Sequence, residues 1–354
     1  MIKINFTGDI SLNNRYQDFN KSNTNPFEDV ENLFADADFN IGNLECLCSD
    51  GTRENKLKII RLKTSKVTLN LLKPLRFNML SLAHNHIYDN CEEGIACTLD
   101  KLHALGIQPI GYGQEKGNDP YMWRAEVKNL PIAVITAIHK DTNPHLPKDV
   151  QLNLPWYDVE RIISAIHTAK EESRFVIVYL HWGGRVEGGY MPDWYEIQDS
   201  HRFIDEGADV VIGSHSHTVQ PYELYKGKYI FYSLGNFCFD DTITDGKVYP
   251  IGKFRKRLGL FITLDIKPNK DYKVQLHTIY NNACIIKKCN KQWKIKRRNF
   301  KFSILRQSKA IWRIDHKLQR KVYPIFQYLA DSPDSFLTKL SKIRITKLLG
   351  SLKQ

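Results

Sequence analysis

Ten short β-rich apolar runs alternate with helical patterns along most of the chain, and this alternation limits the fold more than any other feature. The strand candidates are Ile2–Phe6, Phe39–Gly42, Phe77–Ala83, Ile107–Ile110, Ile132–Thr136, Phe175–Leu180, Asp209–Ile212, Tyr229–Tyr232, Leu258–Ile266 and Tyr272–Tyr280. Helical spacing is found at Pro26–Asp36, Ser65–Leu72, Glu92–Leu105, Trp156–Glu172 and Trp194–Glu206. Pro26 and Pro155 suit first-turn positions, and Gly106 and Gly207 suit positions just past helix ends. Strand and helix in turn predict βαβ units with mainly parallel strands over the first two-thirds. The last two strands are joined by Lys267-Pro268-Asn269-Lys270-Asp271, a hairpin-like turn.

Five of these runs end in a polar residue able to bind a metal. Ile2–Phe6 leads into Gly8-Asp9, Phe39–Gly42 into Asn43-Leu44-Glu45, and Phe77–Ala83 into His84-Asn85-His86. Phe175–Leu180 leads into His181-Trp182-Gly183, and Asp209–Ile212 into Gly213-Ser214-His215-Ser216-His217. Open α/β sheets build their sites at the carboxyl edge of the strands, so the five ends are expected to converge there. Alone, the two histidines of Gly213–His217 read equally as polar loop residues or as metal ligands; the company of the other four strand ends favours ligands. Carboxylate, amide and imidazole form an oxygen/nitrogen donor set suited to one or two divalent ions, Mn²⁺, Fe²⁺ or Zn²⁺. Two such ions sharing a carboxylate activate a water and neutralise charge on a phosphoryl oxygen, and Glu45 is the candidate bridge.

Charge is unevenly spread. From Lys287 onward there are nineteen Lys/Arg against three Asp/Glu (Asp315, Asp331, Asp334), whereas the chain before it carries 32 basic and 36 acidic residues. The basic stretch is interleaved with aromatics, and Ile304–Tyr323 and Phe336–Leu352 read as amphipathic basic helices. Packing of one stripe on the main domain is one reading; attraction to an anionic polymer, or contact with a membrane surface or membrane synthase, is the other. No nucleic-acid-binding module is recognisable. No run reaches the roughly 18–20 apolar residues of a membrane span, and the amino terminus reads as a strand rather than a signal sequence, so the expected location is cytoplasmic, peripheral to the inner membrane surface. Seven cysteines without a C-x-x-C pair fit reduced thiols. Cys46 and Cys48, beside Glu45, are conceivable ligands but fit buried free thiols better.

The series Gly8-Asp9, Asn43-Leu44-Glu45, Ser81-Leu82-Ala83-His84-Asn85-His86 with Asp89, His181-Trp182-Gly183, Gly213-Ser214-His215-Ser216-His217 and Tyr232-Ser233-Leu234-Gly235-Asn236-Phe237 resembles the CapA family. Its members are capsule-synthesis and poly-γ-glutamate-biosynthesis proteins. The resemblance covers about residues 1–265. It implies a four-layer αββα sandwich of the calcineurin-like metallophosphatase type, here a domain over residues 1–285 followed by a basic, mainly helical extension over 286–354.

The resemblance further implies that Asp9 holds a first metal, that Glu45 bridges, that Asn85, His181 and His215 complete a second site, and that His217 turns to the first. His86 is implied as the acid that protonates a leaving group, held by Asp89, although Asp89 also suits the cap of the helix near Glu92. His84, Glu187, Tyr190 and Asn236 are expected on the substrate side, with Asn236 alternatively a turn residue and His84, where the family more often has Asn, alternatively an added metal ligand or a residue behind the ligands. Metallophosphatases outside this family carry Asp-x-His where this chain has Asp9-Ile10-Ser11, so the first metal lacks a nitrogen ligand; they also bridge with Asp rather than Glu. The implied function is a metal-dependent, phosphoesterase-like hydrolase acting on a phosphate- or carboxylate-containing substrate in capsule, poly-γ-glutamate or exopolysaccharide synthesis. A non-catalytic or weakly catalytic assembly subunit is the alternative.

Overall fold

A computed structural model describes residues 1–322 except 23, 114–118, 173, 185–186 and 253–255. Among the described residues the strands are β1 Ile2–Ile10, β2 Phe39–Leu44, β3 Met79–Ser81, β4 Gln108–Ile110, β5 Met122–Val127, β6 Leu130–Ile138, β7 Phe175–His181, β8 Val210–Ser214, β9 Tyr222–Tyr225, β10 Lys228–Phe231, β11 Asn236–Cys238, β12 Thr242–Thr244, β13 Lys247–Tyr249, β14 Leu258–Ile266, β15 Tyr272–Asn282 and β16 Ile285–Cys289. The helices are α1 Glu31–Ala35, α2 Cys91–Ala104, α3 Val159–Glu171, α4 Trp194–Asp205, α5 Gln292–Leu305 and α6 Lys309–Lys321.

Two sheets stack face to face. The larger follows the order β16-β15-β14-β1-β2-β3-β4, with β11 also paired to β1; the smaller follows β5-β6-β7-β8-β10-β9. Alternation along each strand sorts the side chains into three apolar layers. Ile4 and Phe6 of β1 meet Ile132 and Val134 of β6 and Ile177 and Tyr179 of β7 between the sheets. The intervening Ala133, Ile135, Val176 and Val178 point outward and pack on Ile162 and Ile166 of α3 and Phe203 of α4. On the other side Ile10, Leu44 and Leu80 pack on Phe34 of α1 and Ile95, Leu99 and Leu102 of α2. Three apolar layers between four layers of backbone make the fold the expected αββα sandwich.

Parallel pairing aligns the functional strand ends. Register places Asp9 beside Asn43 and Asn43 beside Ser81 in the larger sheet. In the smaller sheet it places His181 between Ile138 and Ser214. The two rows face each other at the carboxyl edge.

The basic stretch departs from its expected form. The division drawn at residue 285 falls at the first residue of β16, an edge strand of the larger sheet. Instead of one helix over Ile304–Tyr323 there are two, separated near Ser308, whose side chain caps α6 by accepting from the Ile311 N–H. Phe302, Leu305 and Trp312 are buried against the smaller sheet's helical layer. Trp312 donates its indole N–H to the Pro192 carbonyl at 3.0 Å, and His316 meets Asp193 at 2.6 Å. The extension is thus packed down over its described part; the expected helix at Phe336–Leu352 lies outside the described residues. Where helical spacing predicts a helix over Ser65–Leu72, the structure has a 3₁₀-helix over Thr68–Leu75, with Pro74 inside it. No helix of the described residues is long and apolar enough to cross a membrane.

Gly8 lets the strand carrying Asp9 lie against the turn at Gly235. A Cβ on Gly8 would fall 1.7 Å from the Gly235 carbonyl oxygen, which also accepts the Asp9 N–H at 2.9 Å. Gly8→Ala is therefore expected to destabilise the protein by about 2 kcal/mol or more, read as a lower thermal midpoint; an unchanged midpoint would contradict the close approach.

Candidate metal centre

The strand ends bring Asp9, Glu45, Asn85, His181, His215 and His217 to one place, all of them buried. Two groups of donors are close enough to share an ion: Glu45, His181 and His215, and Asp9, Glu45 and His217, with the ligand atoms of each group within 4.8 Å of one another. Glu45 belongs to both.

The first group has the tighter geometry. His181 Nε2 lies 3.0 Å from Asn85 Oδ1 and 3.1 Å from His215 Nδ1, and 3.8 Å from Glu45 Oε1. An ion with ligand bonds of roughly 2.0–2.2 Å keeps neighbouring donors roughly 3–3.5 Å apart, which these separations approach. The Ser214 hydroxyl donates to the Leu180 carbonyl, so its oxygen accepts from His181 Nδ1 at 3.1 Å and leaves the Nε2 lone pair facing the centre. Burial pushes His181 well below the ordinary imidazole range and His215 down to about 4, so both rings are neutral and available as ligands.

In the second group, Asp9 accepts from Asn43 Nδ2 at 2.9 Å and from the His215 backbone N–H at 3.1 Å. His217 donates from Nδ1 to Asn236 Oδ1 at 2.9 Å, which turns Nε2 toward Glu45 at 3.7 Å. Ser11, in the place of the missing histidine, gives its hydroxyl to Asn13 Oδ1 at 2.8 Å. This group is therefore the poorer in nitrogen.

Glu45 tests whether the donors fit a cation. It is fully buried, and neither carboxylate oxygen has a hydrogen-bond partner. Burial, aided by Asp9 and Glu187, pushes its carboxyl well above the usual range. An orphaned carboxylate ringed by imidazole lone pairs is satisfied by a positive ion, so the residues fit a divalent metal.

The two histidines of Gly213–His217 reach the centre through strained backbone. β8 runs on to Ser214, and His215 and His217 then adopt φ of +91° and +57°. Both lie in the left-handed region that side chains larger than glycine rarely enter, a cost typical of functional sites.

His86 stands at the rim. Its Nε2 is 3.9 Å from Glu45 Oε1, and its Nδ1 is 2.5 Å from Asp89 Oδ2. Asp89 is therefore no helix cap: the cap position is Asn90, and Asp89 also accepts the Leu62 N–H at 2.6 Å. Burial drives Asp89 upward, but His86 and Lys58 outweigh it and keep the carboxyl below its ordinary value. Burial lowers His86.

The expected substrate-side residues separate. Glu187 reaches the mouth, paired with Lys256 Nζ at 2.5 Å and 3.9 Å from His217 Nε2; Lys256 holds its carboxyl well below the usual range. Asn236 lies in the cavity wall, with its amide committed to His217 and the Lys256 carbonyl. His84 is not on the substrate side: it is buried behind His181, accepting the His86 N–H at its Nδ1. Tyr190 is displaced further, because its loop is tied to α6 and α5: Gln319 accepts its N–H, and the Arg298 guanidinium stacks on its ring. Cys46, its thiol pushed up to about 11 by burial, accepts the Leu12 N–H and belongs to neither donor group.

The roles of three further residues emerge only in the folded chain. Lys58 is buried, donates to the Asn85 carbonyl at 2.6 Å and lies 3.4 Å from Asp89 Oδ1. Asn43 orients Asp9, and Lys256 neutralises Glu187. Asn43 sits in a quoted strand-end motif, whereas no local pattern marks either lysine.

Residues 3–241 match the family described as bacterial capsule synthesis protein PGA_cap. The chain belongs to this family. It is 29% identical over 258 residues to the PGA biosynthesis protein CapA of Bacillus subtilis (strain 168), covering 69% of this chain and 65% of that protein. It is 26% identical to the capsule biosynthesis protein CapA of Bacillus anthracis, covering 68% of this chain and 60% of that one. The matched segment thus spans about three-fifths to two-thirds of these relatives. Among solved structures, a 5'-nucleotidase precursor from Thermus thermophilus aligns over 86% of this chain and 58% of its own, with TM-score 0.43 and 11% identity. The NAD nucleotidase of Haemophilus influenzae aligns over 87% of this chain and 63% of its own, with TM-score 0.45 and 11% identity.

Burial pushes Asp9 up to about 7 when no cation faces it. Below that pH a proton competes for the carboxylate; above it the carboxylate is free. Apparent Mn²⁺ or Zn²⁺ affinity is expected to rise between about pH 6 and about pH 8, with protons released on binding. Calorimetry in buffers of different ionisation enthalpy measures both, and pH-independent binding without proton release would contradict the buried-carboxylate site.

Proposed function

We propose that this protein is a metal-dependent hydrolase, phosphoesterase-like in mechanism, that works in the making, export or modification of a capsule, poly-γ-glutamate or exopolysaccharide. The observation that carries the reading is the orphaned Glu45 carboxylate shared by two donor groups, buried directly beneath a cavity that Asn85, His86 and His217 line.

Glu45, Asn85, His181 and His215 would hold one ion, and Asp9, Glu45 and His217 a second, less well furnished one. Mn²⁺, Fe²⁺ and Zn²⁺ all suit the donors, and such an ion supplies Lewis acidity that activates water and stabilises negative charge. The residues around them do the rest. Asp89 fixes His86 through Nδ1, so His86 Nε2 faces the reacting group; in its imidazolium form, which the Asp89 carboxylate favours, His86 would give its Nε2 proton to a leaving oxygen and return to the neutral ring. Lys58 steadies Asp89 and offsets the negative charge of the floor. Asn236 and Asn43 keep His217 and Asp9 aimed. Lys256 and Lys58 make the cavity receptive to an anionic phosphate or carboxylate group.

The basic surface of the extension suits an anionic polymer, a membrane surface or a membrane-bound synthase at the inner face of the membrane, and this contact is part of the proposal. The alternative, an assembly subunit without catalysis, draws on Ser11 and the thinner second donor group.

One experiment separates the readings. The protein is loaded with Mn²⁺, Fe²⁺ or Zn²⁺ and assayed on generic phosphomono- and diesters, with metal content measured on the same samples. His86→Ala is expected to lower turnover by roughly 10²- to 10⁴-fold with metal retained, and His215→Ala to lose both metal and turnover. No turnover with any metal, or turnover unchanged in both variants, would contradict the enzyme reading.

A further inference from the structure

The loop that forms one lip of the cavity is inside out. In Lys56-Leu57-Lys58-Ile59-Ile60-Arg61 the apolar side chains face solvent: Leu57 is 60% exposed, Ile59 72% and Ile60 38%. Lys56 stays in solvent, but Lys58 between the apolar residues and Arg61 after them are buried, at 7% and 5%. Loops ordinarily do the reverse, since exposing aliphatic surface and desolvating ammonium groups both cost free energy.

The buried cations are held in place by protein partners. Lys58 meets Asp89 and the Asn85 carbonyl, while Arg61 donates to the Lys58 carbonyl at 2.6 Å, to Glu54 at 3.0 Å and to Asp245 at 2.6 Å. Asn55 anchors the loop, its backbone N–H bonding to Asp89 and its side chain accepting the Leu57 N–H. The inversion is therefore built, not a loose excursion.

Leu57, Ile59 and Ile60 open onto the same cavity, of about 320 Å³, as Asn85, His86 and His217. Phe239 and Ile251 continue the apolar wall, with the Phe239 ring edge-on to His217 at 4.9 Å. The cavity is thus amphiphilic: a polar floor with Lys58 and Lys256, and an aliphatic side leading to solvent.

We infer that the site takes an anionic ester bearing an apolar arm, whose charged head sits at the Lys58–Lys256 floor and whose arm lies along Leu57, Ile59 and Ile60. This rests on the metallohydrolase reading and names its substrate class. The continuity of the exposed aliphatic lip with the donor cluster is what selects this occupant, because the cost of an exposed apolar patch at a site's mouth is offset only when something apolar covers it.

The test is calorimetric titration of the Mn²⁺-loaded full-length protein with methylphosphonate and octylphosphonate, both below the concentration at which the longer one self-associates. Octylphosphonate is expected to bind about tenfold tighter or more, since each buried methylene adds to affinity. In the Leu57→Ser/Ile59→Ser variant the ratio of the two affinities falls toward one; both residues are exposed, so folding is not at stake. Equal affinities in the wild-type protein, or a ratio that survives the double substitution, would overturn the inference. Methylphosphonate binding that ignores the metal and His215→Ala would instead count against the metal centre, which keeps the two failures apart. Sedimentation with phosphatidic acid vesicles that the Leu57→Ser/Ile59→Ser variant loses, in addition to the octyl gain, supports a bilayer as the source of the apolar ester; the octyl gain with sedimentation absent, or equal in the variant and so due to the basic extension, supports a free amphiphile.

Discussion

The architecture is organised around one expensive group, the carboxylate of Glu45. It is buried, unpartnered at both oxygens and close to a second buried carboxylate, Asp9. Burying such a charge without compensation costs several kcal/mol, so the protein either protonates it or supplies a cation. The surroundings are built for the cation. His181, His215 and His217 are neutral and present nitrogen lone pairs, and Asn85 presents an amide oxygen.

The rest of the fold positions that group. Parallel pairing of β1 and β2 sets Asp9 beside Asn43, and the Glu45 N–H bonds to the Ile10 carbonyl, which carries the carboxylate just past the strand end. The smaller sheet supplies the imidazoles from β7 and from the strained turn after β8. Support for that turn reaches far: Ser216 accepts the Gly188 N–H, Thr218 and Gln220 donate to the Gly189 carbonyl, and α6 grips the following residues through Gln319, Trp312 and His316. The basic extension therefore helps to hold the loop next to Glu187.

Much of this was legible in the chain because each ligand sits at the end of an apolar run, and a strand's polar terminus can be recognised without knowing its partners. Leu258–Ile266 has the same bounds in sequence and structure, and the ends at Glu45, His181 and His215 converge as their positions imply. What was hidden depends on distant contacts. Lys58 lies in a short loop whose polarity is reversed by Asp89 and Asn85, and nothing within the loop announces that reversal. β5, β9, β12 and β13 are short strands with partly exposed faces, so their periodicity is weak. Tyr190 reads as a neighbour of Glu187, but α5 and α6 pull its loop outward. His84 directly precedes two site residues, Asn85 and His86, yet the tight turn at His84–His86 sends its ring behind His181.

The chain belongs to the bacterial capsule synthesis family, and the chemistry proposed for it rests on whether Glu45 holds a cation. Anomalous diffraction from crystals grown with Mn²⁺ tests this most directly. The account predicts a peak within bonding distance of Glu45 and of the facing atoms of Asn85, His181 and His215, with any second, weaker peak beside Asp9 and His217. The absence of a peak there, with Glu45 hydrogen-bonded to a protein group instead, would contradict it.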